Sequence, residues 1–192
     1  MGHWHRTHIN NREVVLSPVL VFDIETVPDV DGLRKLYPVE AGTSDADVAR
    51  AAFERRREAT GSDFLPLHLH RVVAISCALR ERDSFRVWSL GDPAEREHEL
   101  VRRFFDGIDK YTPQLVSWNG GGFDLPVLNY RAMIHGVRAP RFWEMGEEDR
   151  DFKWNNYISR YHSRHLDLMD VLAMYQGRGN APLDQMAQLL GL

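Results

Sequence analysis

Cysteine is almost missing from this chain. Cys77 stands alone among 192 residues, so no internal disulfide can form, and a small disulfide-stapled secreted scaffold is excluded. Within the apolar run VVAISCAL, Cys77 reads as a small core residue rather than a nucleophile. No apolar run approaches the roughly 18–20 residues that a membrane-spanning helix needs. The first residues, MGHWHRTHINNREVV, are polar, hold His3, His5 and His8, and lack the apolar centre of a secretory signal. They read as a flexible tail over residues 1–18, and the expected compartment is the reducing cytoplasm. An excess of positive charge is missing too. With 24 Lys and Arg against 28 Asp and Glu, the net charge is −4 and the pI about 6.1. A nucleic-acid partner would therefore need a local basic patch or a bridging metal ion. Internal repeats, low-complexity tracts and interdomain linkers are not seen, and the length suits one domain with a substantial core.

The pattern that is present alternates strands with helices. Residues 19–25 (VLVFDIE) predict a strand buried on both faces. Residues 26–43, with Pro28 and Pro38, read as a loop, and 44–60 as a helix capped by Ser44 or Asp45. RVVAISCALR (71–80) and SFRVWSL (84–90), joined by a short polar link, predict a hairpin. Asp92-Pro93 followed by Glu95 marks a helix start. Leu100, Val101, Phe104, Phe105 and Ile108 then recur at helical spacing. QLVSW (114–118) predicts a short strand, NGGG a loop, and Asp124 opens a helix that runs to His135 before Gly136. Residues 139–165 are irregular and aromatic-rich. HLDL predicts a strand end leading into a helix that stops near Gly177, and a last helix covers 182–190. The class is α/β with a mixed sheet.

Residues two apart on a strand share a face, so Asp23 and Glu25 present two carboxylates side by side at the end of an apolar strand. Such a pair either stays solvated or is compensated, and a hard divalent cation such as Mg²⁺ or Mn²⁺ suits oxygen ligands. Thr26, next along, can bond backbone or phosphate. In WNGGGFDLPVL, Trp118 and Asn119 end a strand and three glycines permit close approach or positive φ. Asp124 then serves either as a helix cap or as a third carboxylate facing Asp23 and Glu25 across the crevice at the strand ends.

VFDIET and SWNGGGFDLPVL resemble the first and second motifs of the DEDD exonuclease superfamily. With NYISRYHSRHLDLMDVL, residues 19–192 resemble the predicted 3′–5′ exonucleases related to the proofreading domain of family B DNA polymerases. The resemblance implies a ribonuclease H-like fold with a five-stranded mixed sheet. It also implies two divalent ions (Mg²⁺ or Mn²⁺) and hydrolysis of the terminal phosphodiester of single-stranded DNA, or of other 3′ DNA ends, to nucleoside monophosphates. RNA is not separated from DNA by these motifs. On this resemblance Asp23, Glu25 and Asp124 are the catalytic and metal-binding residues. Ile24, Thr26, Asn119 and Phe123 position the 3′-terminal nucleotide. The family's fourth carboxylate, from Tyr-x-x-x-Asp or His-x-x-x-x-Asp on a late helix, is not matched on a helix. His162 and Asp167 fit the spacing only formally, and Asp167 reads as a cap of the helix that follows. Asp170 and Asp184 read as surface helix residues. The expectation is a domain that stops before its last catalytic helix.

FKWNNYISRYHSRH (152–165) interleaves Lys153, Arg160 and Arg164 with aromatic rings. That is the composition of a single-strand groove, in which Arg160 would contact the substrate, or of a loop whose Trp154, Tyr157 and Tyr161 pack inward. Besides an exonuclease, the residues admit a non-catalytic single-strand-binding module with an incomplete metal site. A haloacid-dehalogenase-type phosphatase fits less well: Glu25 replaces its second Asp, and Thr26 comes one position early.

Overall fold

The strand that carries Asp23 is central. The computed structural model describes residues 17–92 and 94–192. The expected N-terminal tail thus lies, through residue 16, outside the described residues, as does Pro93. β1 (Val19–Pro28) pairs antiparallel with β2 (His70–Glu81), and β2 with β3 (Ser84–Leu90). On its other side β1 pairs parallel with β4 (Gln114–Ser117), and β4 with β5 (His165–Asp167). The five strands lie in the order β3-β2-β1-β4-β5, so the mixed α/β sheet has the ribonuclease H-like form.

The helices are α1 (Val30–Leu36), α2 (Asp45–Thr60), α3 (Glu97–Tyr111), α4 (Asp124–His135), α5 (Leu168–Leu172) and α6 (Leu183–Leu190). α3 buries its predicted stripe, Leu100, Val101, Phe104, Phe105 and Ile108, in a core with Phe22, Ile24, Ile75 and Leu115 from the strands and Val127 and Leu128 from α4. Burial of whole side chains of this size stabilises by about 1.5–3 kcal/mol each. α1 and α2 form a smaller core around Leu33, Val48, Leu65 and Leu69. No helix of the described residues is long and apolar enough to cross a membrane.

Several expectations are corrected. β1 is not buried on both faces: Leu20, Phe22 and Ile24 face the core, whereas Val21, Asp23 and Glu25 are exposed. The sheet carries its helical layer on one face only at this strand, so β1 alternates like a half-buried strand. The supposed loop 26–43 holds the end of β1 and α1, because Asp29 accepts from Gly32 N and starts a helix there. α3 begins at Glu97, not beside Asp92, since Asp92 O and Oδ1 close a tight turn onto Glu95 N and Ala94 N. α5 ends at Leu172, short of Gly177: Met174 and Tyr175 take positive φ, and Tyr175 N returns to Asp170 O.

Candidate active site

β4 is only four residues long, and its ladder with β1 ends at Val21↔Val116. Beyond that point β1 keeps unpaired amide groups on the β4 side, which need partners. Asp124 supplies one: its Oδ1 accepts from Ile24 N at 3.1 Å. The carboxylate thus takes the place of a missing strand and is locked to the backbone between Asp23 and Glu25. Asp124 is the first residue of α4, one past the N-cap position at Phe123, and is buried, so its side chain does not serve as the helix N-cap. Burial, then the charge of Asp23, with a smaller push from Asp167, raises the Asp124 carboxyl from 3.8 to about 7, against the hydrogen bonds from its own amide and Ile24 N.

The Gly-rich loop that delivers Asp124 is held by close approach rather than by unusual φ. None of Gly120, Gly121 and Gly122 has positive φ; the left-handed residue is Asn119, at φ 63°. A Cβ on Gly120 would lie 2.3 Å from Ser117 Oγ, and one on Gly122 would lie 2.5 Å from Asn119 Oδ1. Asp167 caps nothing with its side chain. Instead its carboxylate accepts from Asn119 N at 2.8 Å and from Gly121 N at 2.9 Å. The expected cap is therefore a clamp on the loop, since β5 sets Asp167 opposite Ser117. Below it, Ser117 Oγ meets His165 Nε2 at 2.7 Å, and burial lowers the His165 pKa.

The predicted positioning residues divide. Asn119 and Phe123 flank the loop, and Thr26 bonds His70 Nδ1 at 3.0 Å. Ile24 is a correction: its side chain is in the core and its N–H is taken by Asp124, so neither of these meets a substrate. Arg160 lines a cavity of about 460 Å³ between the Gly-rich loop, α4 and residues 142–170. Its guanidinium is already held by both oxygens of Asp170, each at 2.7 Å, so Asp170 is a half-buried ion-pair partner rather than a surface residue. The aromatic segment splits as well: Tyr157 is buried and donates to Pro113 O, while Trp154 and Tyr161 stay exposed. Cys77 is buried, and burial pushes its thiol up to about 12, which fits its reading as core.

Hard cations favour carboxylate oxygens, so Asp23, Glu25 and Asp124 fit a divalent ion in donor type, and a cation beside Asp124 would relieve its repulsion from Asp23. Among the described residues, no group of three or more His, Cys, Asp and Glu is already gathered closely enough to hold a metal ion.

Residues 62–192, more than half of the chain, match the family described as "predicted 3'-5' exonuclease related to the exonuclease domain of PolB". The chain belongs to this family. In this member of the exonuclease family, Asn119, Phe123 and Asp124 fall inside the matched segment, and β1 with Asp23 and Glu25 precedes it. Membership supports a nuclease of the hydrolase class. Two solved structures are similar to it. A family B DNA polymerase from the hyperthermophilic archaeon Pyrobaculum calidifontis is 17% identical with a TM-score of 0.49, covering 91% of this chain and 18% of the polymerase. A structure of "Exonuclease I (apo)" is 12% identical with a TM-score of 0.44, covering 82% of this chain and 30% of that one. The chain thus spans less than a third of either. No curated protein matches the chain.

Sequence reasoning missed the Ser117–His165 pair, the clamp by Asp167, and the packing of Phe64 and His70 against Phe123. The alternation of His165 and Asp167 on a three-residue strand was the available signal for the first two.

Proposed function

We propose that this domain, residues 19–192, is a metal-dependent 3′–5′ exonuclease that acts on single-stranded DNA ends and releases nucleoside monophosphates. One observation carries the reading. Asp124, at the end of the Gly-rich motif and the head of α4, is bonded to the backbone between Asp23 and Glu25, and its carboxyl is raised to about 7 by burial and by Asp23. A buried carboxylate held against an exposed acidic pair at a strand edge is a poor stabilising device and suits a cation. Asp23, Glu25 and Asp124 would hold Mg²⁺ or Mn²⁺, which when bound supplies Lewis-acid stabilisation of charge on the phosphate and a lowered pKa for water. The chain's own part is to fix Asp124 through Ile24 N, to keep the loop rigid through Asp167, and to place Asn119 and Phe123 beside the terminal nucleotide.

A 5′-labelled single strand incubated with Mn²⁺ or Mg²⁺ tests this. Stepwise shortening from the 3′ end is expected, reduced at least about a hundredfold by Asp23→Ala or Asp124→Asn, the scale on which removal of a preorganised electrostatic group acts. The second reading, a single-strand-binding module without catalysis, is favoured by the lack of a three-residue metal group among the described residues. Binding without shortening in either metal would decide for it.

A further inference from the structure

Phe64, His70 and Phe123 stand together beside this site. The ring centroids are 5.3 Å apart for Phe64–His70, 5.2 Å for His70–Phe123 and 5.7 Å for Phe64–Phe123. Phe123 adjoins Asp124 in sequence, and His70 reaches Thr26, the neighbour of Glu25, at 3.0 Å. The three ring centroids therefore form a compact triangle beside the carboxylate-bearing strand, with Phe64 standing on the segment between α2 and β2.

Phe64 is 53% exposed, so burial in the core does not explain it. Nor is it a loose loop side chain. Arg56 Nε donates to Phe64 O at 3.0 Å, Phe64 N donates to Ser62 Oγ at 3.2 Å, and the next residue, Leu65, is buried and meets His70 Nε2 through its carbonyl at 3.1 Å. An exposed aromatic ring fixed at its backbone and braced by two further rings is a preorganised stacking surface.

The hydrogen bonds also fix what the inner end can recognise. Leu65 O only accepts, so His70 carries its proton on Nε2. In the neutral ring Nδ1 then accepts, and Thr26 Oγ1 is the donor. Thr26 is left with acceptor capacity, which suits a sugar hydroxyl rather than a phosphate oxygen.

We infer that Phe64, His70 and Phe123 form a shelf that stacks unpaired nucleobases of a single-stranded 3′ end, with Phe64 as the outer residue that takes a base upstream of the one at Phe123. The placement rests on the exonuclease reading, which locates the strand end at Asp23 and Asp124. Aromatic stacking tolerates any base, so the shelf selects for unpaired strands and not for sequence. A duplex end, whose bases are already stacked and paired, has no base to offer it.

The test is a cycle that crosses the side chain with the base. Fluorescence anisotropy in Mn²⁺ measures the Kd of a short single strand whose 3′-terminal linkages are phosphorothioates, so that binding is read apart from cleavage. A second strand has abasic sites at its last few positions. Phe64→Ala is expected to weaken binding of the ordinary strand on the order of tenfold and of the abasic strand by less than about twofold, with Phe64→Trp restoring the ordinary strand. The exposed position should leave the melting temperature of each variant unchanged. Equal weakening on both strands, no weakening on either, or no binding by the unaltered protein overturns the shelf. Cleavage of an unmodified strand is measured separately. Coupling without shortening keeps the shelf and removes the exonuclease reading, and shortening without coupling does the reverse.

Discussion

Asp124 is the residue at which the electrostatics of the domain concentrate. In an unfolded chain its carboxyl titrates near 3.8, and in the fold near 7. Between those values the folded state holds more protons than the unfolded one, so stability falls as pH rises from about 4 to about 7 and stays low above that. A shift of this size corresponds to several kcal/mol, or on the order of 10 °C in melting temperature for a domain of this length. Asp124→Asn keeps an oxygen acceptor for Ile24 N and removes the charge. In chelator, its melting temperature should therefore change little from pH 5 to pH 8 and exceed that of the unaltered protein at pH 8. Added Mn²⁺ should raise the melting temperature of the unaltered protein at pH 8 and leave that of the variant in place. A parallel pH dependence in the two proteins would show that Asp124 does not govern it. Arg131, two turns along the same helix, is the opposite case. Its side chain is 4% exposed and pairs with Asp29 and Glu97. Burial pushes Asp29 up, but the Arg131 guanidinium and Gly32 N outweigh it and hold that carboxyl below its usual range. The pairing ties the end of β1 to α4. Arg131→Met leaves two buried carboxylates without their cation and should cost about 3–5 kcal/mol in urea unfolding, with Arg131→Lys recovering only part because a lysine cannot fork between two carboxylates. A loss below about 1 kcal/mol would refute the role.

Among the elements, the turn from β4 to α4 is the most constrained. Gly120 could gain a side chain only by moving Ser117, whose Oγ is fixed to His165 and which is itself buried. Gly120→Ala should cost about 1–3 kcal/mol as an overpacked site and should lower nuclease activity, because the loop leads directly into Asp124. Gly177→Ala, which meets open space and a φ that is not positive, should change neither melting temperature nor activity. Elements of this kind differ in how readily the sequence reveals them. α3 announces itself, since five apolar residues at helical spacing all reach the core, and so do the hairpin of β2 and β3 and the stop of α4 at Gly136. The i, i+2 spacing of Asp23 and Glu25 likewise places both on one exposed face. The expected two-sided burial of β1 fails because an apolar run looks the same whether one or two layers cover it. The role of Asp167 stayed hidden because its partners are backbone amides 46 and 48 residues away, and the pairing of Asp29 with Arg131 spans 102. Contacts of that range depend on strand register, which local pattern does not encode.

At the scale of the whole molecule, charge decides how a nucleic acid could be held. The net charge of −4 gives no general attraction to phosphate, and Arg160, the cation that lines the cavity, is committed. Arg160 is paired with Asp170. Arg164 lies over the Phe152 ring at 3.6 Å and donates to Asn155 O, and Arg141 pairs with Asp149. Lys153, resting over Trp154, is left for a strand to meet. A protein that neutralises Z phosphates of a single strand loses affinity with a log–log salt slope of about −0.7Z. With about one or two phosphate contacts, the slope for a short single strand should be near −1 between about 50 and 200 mM salt, while removal of divalent metal should weaken binding far more than salt does. Stacking on exposed rings would account for the salt-insensitive remainder, because it neutralises no phosphate. A basic groove built from Lys153, Arg160 and Arg164 would instead release at least three counterions and steepen the slope to about −2 or beyond. Anisotropy titrations across that salt range, with and without Mn²⁺, separate the two: a steep slope indifferent to metal would mean that the ion pairs seen here open to receive the strand.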